Sequence, residues 1–478
     1  MALSGFWSDG VWKLYISRAL TAWGDRLWAF GLGLLLFRIF PDNLTLVAAF
    51  GLTNCVVSIT LGAHIGNWID SSNRLKAAKL FLLMQNSFVA LDCALFAAYF
   101  HWQEEIVGQF GDQVKIVVAV VASFLALVSH LASSGSKIVV EKDWIVVIAG
   151  GDDDKLARLN SIFRTIDLIC LNLSPTLAGL LFSLTGYSST ALAILVWNVA
   201  SVMVEYSLLV SIYKQFGDLS DKQSTEVKAS LRSRVTESGA AWRFFYHHSV
   251  RNASLGLAML YMTVLGFDST TWAFSLLQCV PESVLGLLVA VSAVVGILGS
   301  LAFPLLRRST NTETAGLVGM ASLVTALGLC VVSVWLPGSP SILYSGVGEV
   351  NRTVSRSEGC GQMEPDMTSV SVLLTGIILA RFGLWISDLS VTQIVQENVE
   401  ENKRGVIGGI QNSLNSFLDM IKFCLVLILP EQEMFGFLVI LSFIFVCSGA
   451  ISLTSYAFKE RTIWCCPKSS CPSEDSVS

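Results

Sequence analysis

Four oxygen-bearing side chains lie inside long apolar stretches of the sequence: Asp25, Gln85, Asn198 and Glu205. Charged groups are costly at such positions and usually face a wet cavity. If the four converge, their two carboxylates and two amide oxygens suit a hard divalent cation such as Mg²⁺, Ca²⁺ or Mn²⁺. The alternatives are hydrogen bonds between helices for the two amides and a pair between Asp25 and the adjacent Arg26. Adjacent residues on a helix face each other poorly, which weakens the second alternative.

A second polar group lies in the other half of the chain. Gly266 and Asp268 interrupt an apolar run, where a helix can unwind and offer carbonyl oxygens to a cation. Asp419 and Lys422 lie three residues apart on a predicted helix, so their side chains share a face. These two residues either line the same cavity or form a pair that only holds helices together.

A third set of charges lies between the apolar runs. The stretch GNWIDSSNRLKAAK at 66–79 carries Asp70 and Arg74. It resembles the Gly-Asp-Arg loop of major facilitator transporters, in which acidic and basic groups latch two halves together on the inner side. With Asp143, Arg164 and Asp167, these residues predict an ion-pair gate. The alternative is that each of them is an ordinary solvated loop charge.

The composition places all of these residues in a membrane protein. The 478 residues are 53% hydrophobic and only 14% charged, with a mean hydropathy of +0.63. Each crossing of a bilayer needs roughly 20 mostly apolar residues, and long continuous runs indicate helices rather than barrel strands. We therefore predict an all-α membrane protein with twelve transmembrane helices, near 12–38, 45–66, 76–100, 113–136, 158–183, 188–213, 250–278, 282–306, 314–336, 369–396, 405–429 and 434–458.

The spacing of the runs predicts two six-helix lobes, the layout of a secondary transporter of the major facilitator superfamily. The predicted parts are a first lobe at 1–213, a cytosolic linker at 214–248, a second lobe at 249–458 with an extracellular loop at 337–368, and a cytosolic tail at 459–478. Lys and Arg concentrate in alternate loops, so both termini are expected in the cytosol. The Asn351-Arg352-Thr353 sequon in the outer loop is a glycosylation candidate.

The sequence also limits the classes of function. It shows no nucleophile-base pair, phosphate loop or metal triad, so an enzyme is disfavoured. No nucleic-acid partner is expected, and the net charge of −5 adds nothing on that point. The expected partners are a divalent cation and the lipid bilayer, with no cofactor. A monomer is expected, at the plasma membrane or, alternatively, in an intracellular membrane.

Six stretches resemble the ferroportin family of cellular iron exporters: TAWGDRLW, GNWIDSSNRLK, EKDWIVVIAG, LYMTVLGFD, LWISDLSVTQIVQENV and RGVIGGIQNSLN. The resemblance runs from about residue 12 to residue 458. It implies a two-lobed exporter of divalent metal that works by alternating access and exchanges the metal for protons. Asp25, Gln85, Asn198 and Glu205 match the oxygen ligands of the family's first lobe.

The chain departs from the family pattern at three ligand positions. The family has a His one turn after the first-lobe Asp, where this chain has Ala29. In the second lobe the family has a Cys and a His, where this chain has Ser269 and Lys422. Imidazole and thiolate favour Fe²⁺ and Co²⁺ over Mg²⁺ and Ca²⁺, so their loss predicts one working all-oxygen site for hard cations. A protonated Lys422 has no lone pair and would stand as a tethered counter-ion to Asp268 or Asp419.

Two further expectations follow from the same departures. Neither family histidine has a replacement that titrates near neutrality unless Lys422 is strongly desolvated, so the alternatives are uniport or a proton link through Asp25 or Glu205. The peptide hormone hepcidin engages the second-lobe Cys of the family, so Ser269 predicts that hepcidin does not bind. An iron(II) exporter like other ferroportins is one alternative, and a non-transporting metal-binding receptor in a transporter fold is the other.

Overall fold

The computed structural model describes residues 10–39, 45–220, 231–266, 271, 274–275, 278, 280–341, 343, 366–429 and 432–465. Within these ranges the regular structure is helical. The α-helices are α1 (Trp12–Ile39), α2 (Thr45–Ser71), α3 (Arg74–His101), α4 (Gln103–Phe110), α5 (Gln113–Lys137), α6 (Ile145–Ala149), α7 (Asp153–Gln215), α8 (Leu231–His247), α9 (Arg251–Met259), α10 (Glu282–Ser309), α11 (Thr312–Ser333), α12 (Thr368–Asn398), α13 (Arg404–Ile428) and α14 (Phe435–Cys465).

Long apolar helices dominate the fold, as the sequence predicts. In the described ranges, seven helical segments are long and apolar enough to cross a membrane. One of them is α7, whose 63 residues carry two of the predicted spans. Gly186 breaks α7 with φ 80° and ψ 177°, a conformation that only glycine adopts without strain. The total of twelve transmembrane helices stays a prediction.

Two interruptions shape the regions around the predicted sites. The segment Ile138–Trp144 is a π-helix, a widened turn that often occurs at functional sites and here carries Asp143. The helix α9 ends at Met259, a 3₁₀ turn covers Leu260–Met262, and Thr263 is extended. The predicted seventh span is therefore interrupted before Gly266, as its sequence indicates. Asp268 and Ser269, as well as the Asn351 sequon, lie outside the described residues.

Contacts divide the chain into two compact units, and the division does not follow chain order alone. One unit contains residues 1–244 together with 296–304 and 399–420. In this unit α1 and α3 pack on α7, and α3 also packs on α5. The other unit contains 245–295, 305–398 and 421–478, and its main pairs are α11 with α12 and α9 with α14. The boundaries of the two predicted lobes stay a prediction.

Glycines permit the closest helix contact of the first unit. Gly62 and Gly66 of α2 face Gly409 and Gly405 of α13, backbone against backbone. A Cβ at any of the four would collide with the carbonyl oxygen opposite. Small residues allow such approach because nothing separates the two backbones. The segment 399–420 is thereby held against α2.

Candidate cation site and neighbouring ion pairs

Asp25 is the centre of a polar cluster between α1, α3 and α5. Its carboxylate accepts a short hydrogen bond from Gln85 Nε2 of α3 and another from Ser133 Oγ of α5, at 2.7 Å. Lys137 Nζ, one turn after Ser133 on α5, lies 3.5 Å from the same Asp25 oxygen, Oδ2. Asp25 therefore contacts one predicted partner, Gln85, and two residues that sequence reasoning did not assign to the site. The sequence carried a signal for the latter pair, because Ser133 and Lys137 are four residues apart and share a helix face.

Glu205 lies beside this cluster on α7. The side chain is 2% exposed. Its carboxylate accepts a 2.5 Å hydrogen bond from Thr21 Oγ1, and Thr21 lies one turn before Asp25 on α1. Asp25 and Glu205 also interact electrostatically. The two carboxylates predicted from sequence therefore interact, and Glu205 also binds a hydroxyl that sequence reasoning missed, that of Thr21.

Both predicted amides, Gln85 and Asn198, are buried. Gln85 is 5% exposed, and its carbonyl oxygen, Oε1, is buried with no hydrogen-bond donor. Such an oxygen is an incomplete acceptor, which a cation would satisfy. Asn198 is also buried, two turns before Glu205 on the same face of α7.

The chemistry of the cluster is that of oxygen donors. Across the described parts of the chain, no three of His, Cys, Asp and Glu lie together in an arrangement that would hold a metal ion. A cation bound at Asp25 must therefore use amide and hydroxyl oxygens, and oxygen-rich ligand sets suit hard cations. The Lys137 ammonium competes for the same carboxylate.

Arg74 centres a buried ion-pair cluster at the start of α3. Its guanidinium donates to both Asp143 oxygens, at 2.8 and 3.0 Å, and its Nη2 also lies 2.5 Å from Glu401 Oε1. Arg74 and Asp143 are each 2% exposed. Arg404 Nη1 lies 3.9 Å from Asp143. The structure thus brings together two of the predicted gate residues and adds two charges from the segment 399–420.

Asp70 holds the beginning of α13. Its two carboxylate oxygens accept hydrogen bonds from the backbone N–H groups of Gly405 and Val406, at 2.8 and 2.7 Å. Free N–H groups and the helix dipole favour a negative charge at a helix N-terminus. Asp70 therefore binds backbone N–H groups at the start of α13, and it also interacts electrostatically with Arg404.

Asp167 belongs to a separate cluster. Arg18 Nη2 of α1 donates to both Asp167 oxygens at 2.6 Å, and Arg18 Nη1 lies 2.8 Å from Glu141 Oε1 of the π segment. Arg18 is 7% exposed and lies two turns before Asp25 on the same face of α1. Arg164, one turn before Asp167, interacts electrostatically with it. Sequence reasoning missed Arg18, since one arginine in an apolar helix gives no indication of its partner.

The candidate site in the second half is only partly described. Asp419 and Lys422 lie on α13, both partly buried. The Lys422 ammonium lies 4.6 Å from the ring centroid of Phe423. Gly266 faces the Arg381 guanidinium, which would lie 3.1 Å from a Cβ at that position. A cationic side chain therefore borders the interrupted helix, in addition to the predicted Lys422.

The fold of the described helices is that of the major facilitator superfamily. The proton:xylose symporter XylE of that superfamily matches with a TM-score of 0.60 and 12% identity, covering 94% of this chain and 96% of its own. A crystal structure of a bacterial homologue of the iron transporter ferroportin, in an outward-facing state, matches with a TM-score of 0.77 and 23% identity, covering 93% of this chain and 98% of that one.

The family follows from the sequence comparisons. The family model Ferroportin1 (FPN1) matches residues 8–446. Solute carrier family 40 member 1 of Danio rerio is 33% identical over 519 residues, which cover 95% of this chain and 92% of the relative. The chain belongs to the ferroportin family, as a divergent member with a metal-transporter fold. The resemblance seen in the sequence is thereby confirmed.

Proposed function

We propose that this protein moves a divalent cation across the membrane by alternating access, using one oxygen-donor site at Asp25, Gln85, Asn198 and Glu205. The single observation that carries the proposal is the Asp25 cluster, in which a carboxylate and an amide from two helices meet beside a second carboxylate. The relatives are transporters, and the solved bacterial homologue is described as related to an iron transporter. We propose export at the plasma membrane by a monomer, with both termini in the cytosol.

The cation preference is the first part to test. Hard cations are favoured because Ala29 and Ser269 provide neither imidazole nor thiolate. We expect proteoliposomes containing the full chain to take up Mn²⁺, Mg²⁺ or Ca²⁺ faster than Fe²⁺ or Co²⁺ at two pH values. The Lys422→His, Ser269→Cys double variant should raise Fe²⁺ and Co²⁺ flux several-fold. Preferential Fe²⁺ flux by the parent would instead support an iron(II) exporter.

Lys137 gives a second prediction. Its ammonium lies beside the Asp25 carboxylate, but the Lys137 side chain is 42% exposed. The ammonium can therefore move from Asp25 into water at little cost. A divalent cation must displace it, and this exchange weakens apparent affinity. We expect Lys137→Ala to tighten Mn²⁺ binding by about tenfold, which corresponds to about 1.4 kcal/mol.

The measurement for Lys137 is a Mn²⁺ titration of purified protein. Lys115→Ala is the matched control, because Lys115 is an α5 lysine paired with Asp112 rather than with Asp25. Lys137→Arg keeps the charge and should bind as weakly as the parent does. Equal affinity for Lys137→Ala and parent would show that the ammonium does not compete.

A gate is the proposed role of the charges around Arg74 and Asp70. Arg74, Asp143 and Asp70 bind the segment 399–420 through Glu401, Arg404 and the start of α13. These contacts must break if that segment moves away from α2 and α3 during transport. Arg164 and Asp167 are proposed to stabilise the neighbouring cluster around Arg18.

A metal-binding receptor that transports nothing is the second candidate. The specific observation in its favour is the Lys137 ammonium beside Asp25, which opposes cation binding there. The Lys422 ammonium is predicted to do the same in the second lobe. Binding of Mn²⁺ without flux in proteoliposomes would establish this candidate. In either case we propose that hepcidin does not bind, because Ser269 replaces the family Cys.

A further inference from the structure

Asp92 is a buried carboxyl group outside the site described above. It lies on α3, two turns after Gln85, and its exposed fraction is 0%. Neither of its oxygens has a hydrogen-bond partner, and among the described residues none pairs with it as an ion. Burial without a partner strongly disfavours the ionised carboxylate, so the neutral, protonated form is favoured while no positive charge is nearby.

Asp92 belongs to a line of incomplete polar groups along α3. Gln85, Asp92 and Tyr99 follow at intervals of seven residues, which places them on one face about 10.5 Å apart in rise. All three are at most 5% exposed. Each has a buried polar atom without a hydrogen-bond partner: Gln85 Oε1, both Asp92 oxygens and Tyr99 Oη. One end of the line is joined to the cation site, because Gln85 donates to Asp25.

Charged groups on the elements packed against α3 bind other partners or are exposed. These elements are α5, α7, the π segment and α4. On α5, Lys115 pairs with Asp112, Lys137 lies beside Asp25, and His130 interacts with Lys137 and Asp25. On α7, Glu205 accepts from Thr21 and Asp167 binds Arg18. In the π segment, Glu141 and Asp143 bind Arg18 and Arg74, and on α4 Glu104 and Glu105 are exposed.

We propose that Asp92 is a proton-binding site coupled to the cation site, an inference that rests on the proposed function. Its carboxyl group holds a proton while no divalent cation is bound. A doubly charged ion at Asp25 and Gln85, two helical turns away, favours the ionised form of Asp92. The O–H bond then breaks, the electron pair stays on the carboxylate, and the proton passes to the surrounding water, where its release is measurable. One exchange thus couples a cation to a proton without any histidine.

Infrared difference spectroscopy tests whether Asp92 holds the proton. The full chain in detergent should show the carbonyl band of a protonated carboxylic acid at neutral pH, and Asp92→Asn should lose that band. Asp92→Ser serves the same purpose if the first variant does not fold. Glu104→Gln, an exposed carboxyl on α4, should leave the band unchanged. A spectrum of the parent without the band, or a band that survives both substitutions, would overturn the proposal.

Proton release tests the coupling. Addition of MnCl₂ to weakly buffered protein should acidify the solution, and Asp92→Asn should release about one proton fewer per bound Mn²⁺. The Mn²⁺ affinity is measured in parallel, so that release is compared at equal occupancy. Equal release from parent and variant would overturn the coupling. If the parent binds no Mn²⁺, the proposed function and the release step both fail, while the infrared band still decides whether Asp92 holds a proton.

Discussion

Asp25→Asn should lower the apparent affinity for Mn²⁺ by at least about 100-fold, which corresponds to about 2.7 kcal/mol, and should abolish flux at micromolar cation. The substitution keeps the size of the side chain but removes one of two neighbouring carboxylates. It also leaves the Lys137 ammonium beside an uncharged amide, so the field at the site becomes more positive. Both effects disfavour a doubly charged ion.

The Asp25 measurement is a titration of purified protein combined with uptake into proteoliposomes. Asp112→Asn is a suitable control, because Asp112 is a carboxylate with 80% side-chain exposure that pairs only with its neighbour Lys115 in the described contacts. The Asp25→Asn, Lys137→Ala double variant should recover part of the lost affinity, since it also removes the unpaired ammonium. Unchanged Mn²⁺ binding by Asp25→Asn would remove the basis of the proposed function.

Arg74→Ala should strongly lower the stability of the folded protein. Arg74 and Asp143 form a buried bidentate pair, and removal of one partner leaves an unpaired charge inside the protein. Such losses cost about 3–5 kcal/mol. We expect a strongly lowered melting temperature in detergent and low yield of folded protein.

A double-mutant cycle separates the pair from other effects of the substitution. Arg74→Ala, Asp143→Ala should be more stable than Arg74→Ala alone, because it no longer buries an uncompensated carboxylate. Arg404→Ala should cost less, since Arg404 lies 3.9 Å from Asp143 and Arg74 still neutralises that carboxylate. An Arg74→Ala protein as stable as the Arg404→Ala protein would contradict the importance of the buried pair.

The Arg74 cluster also bears on transport. Its connection to Glu401 uses a carboxylate with 52% side-chain exposure, so that one contact can exchange with water at little cost. The Arg74–Asp143 pair, by contrast, lies within the first half of the chain and has little reason to break. Within the proposed gate, the contacts that break and re-form are therefore Arg74 with Glu401 and Asp70 with the start of α13. The Arg74–Asp143 ion pair stays intact.

Much of the helical frame was predictable from the sequence. The boundaries of α3, α5 and α12 differ from the predicted 76–100, 113–136 and 369–396 by two residues or fewer at each end. The break before Gly266 was also expected. The predicted spans 158–183 and 188–213 lie on either side of Gly186, whose non-helical backbone separates the two parts of α7.

The candidate site was predictable only in part. Asp25 and Gln85 form a hydrogen bond, and a carboxylate and an amide in apolar helices both need polar partners. Thr21, Ser133 and Lys137 were missed, as hydroxyls are common in membrane helices and Lys137 looks like an ordinary loop cation at the end of α5. Asp92 was missed too, although a charged residue inside the predicted span 76–100 is itself a signal.

The sequence by itself determined which segments form apolar helices. A bilayer core contains no water, so each backbone N–H and C=O group of a spanning segment must be hydrogen-bonded within its own helix. The sequence also predicts the ligand chemistry, because Ala29, Ser269 and Lys422 lie where the family resemblance implies softer donors. Only the tertiary structure decided which charges face which. Contacts between helices depend on how α1, α3, α5 and α7 pack, and hydrophobic periodicity reports only that a face is buried. The ammonium beside Asp25 and the isolation of Asp92 are consequences of that packing.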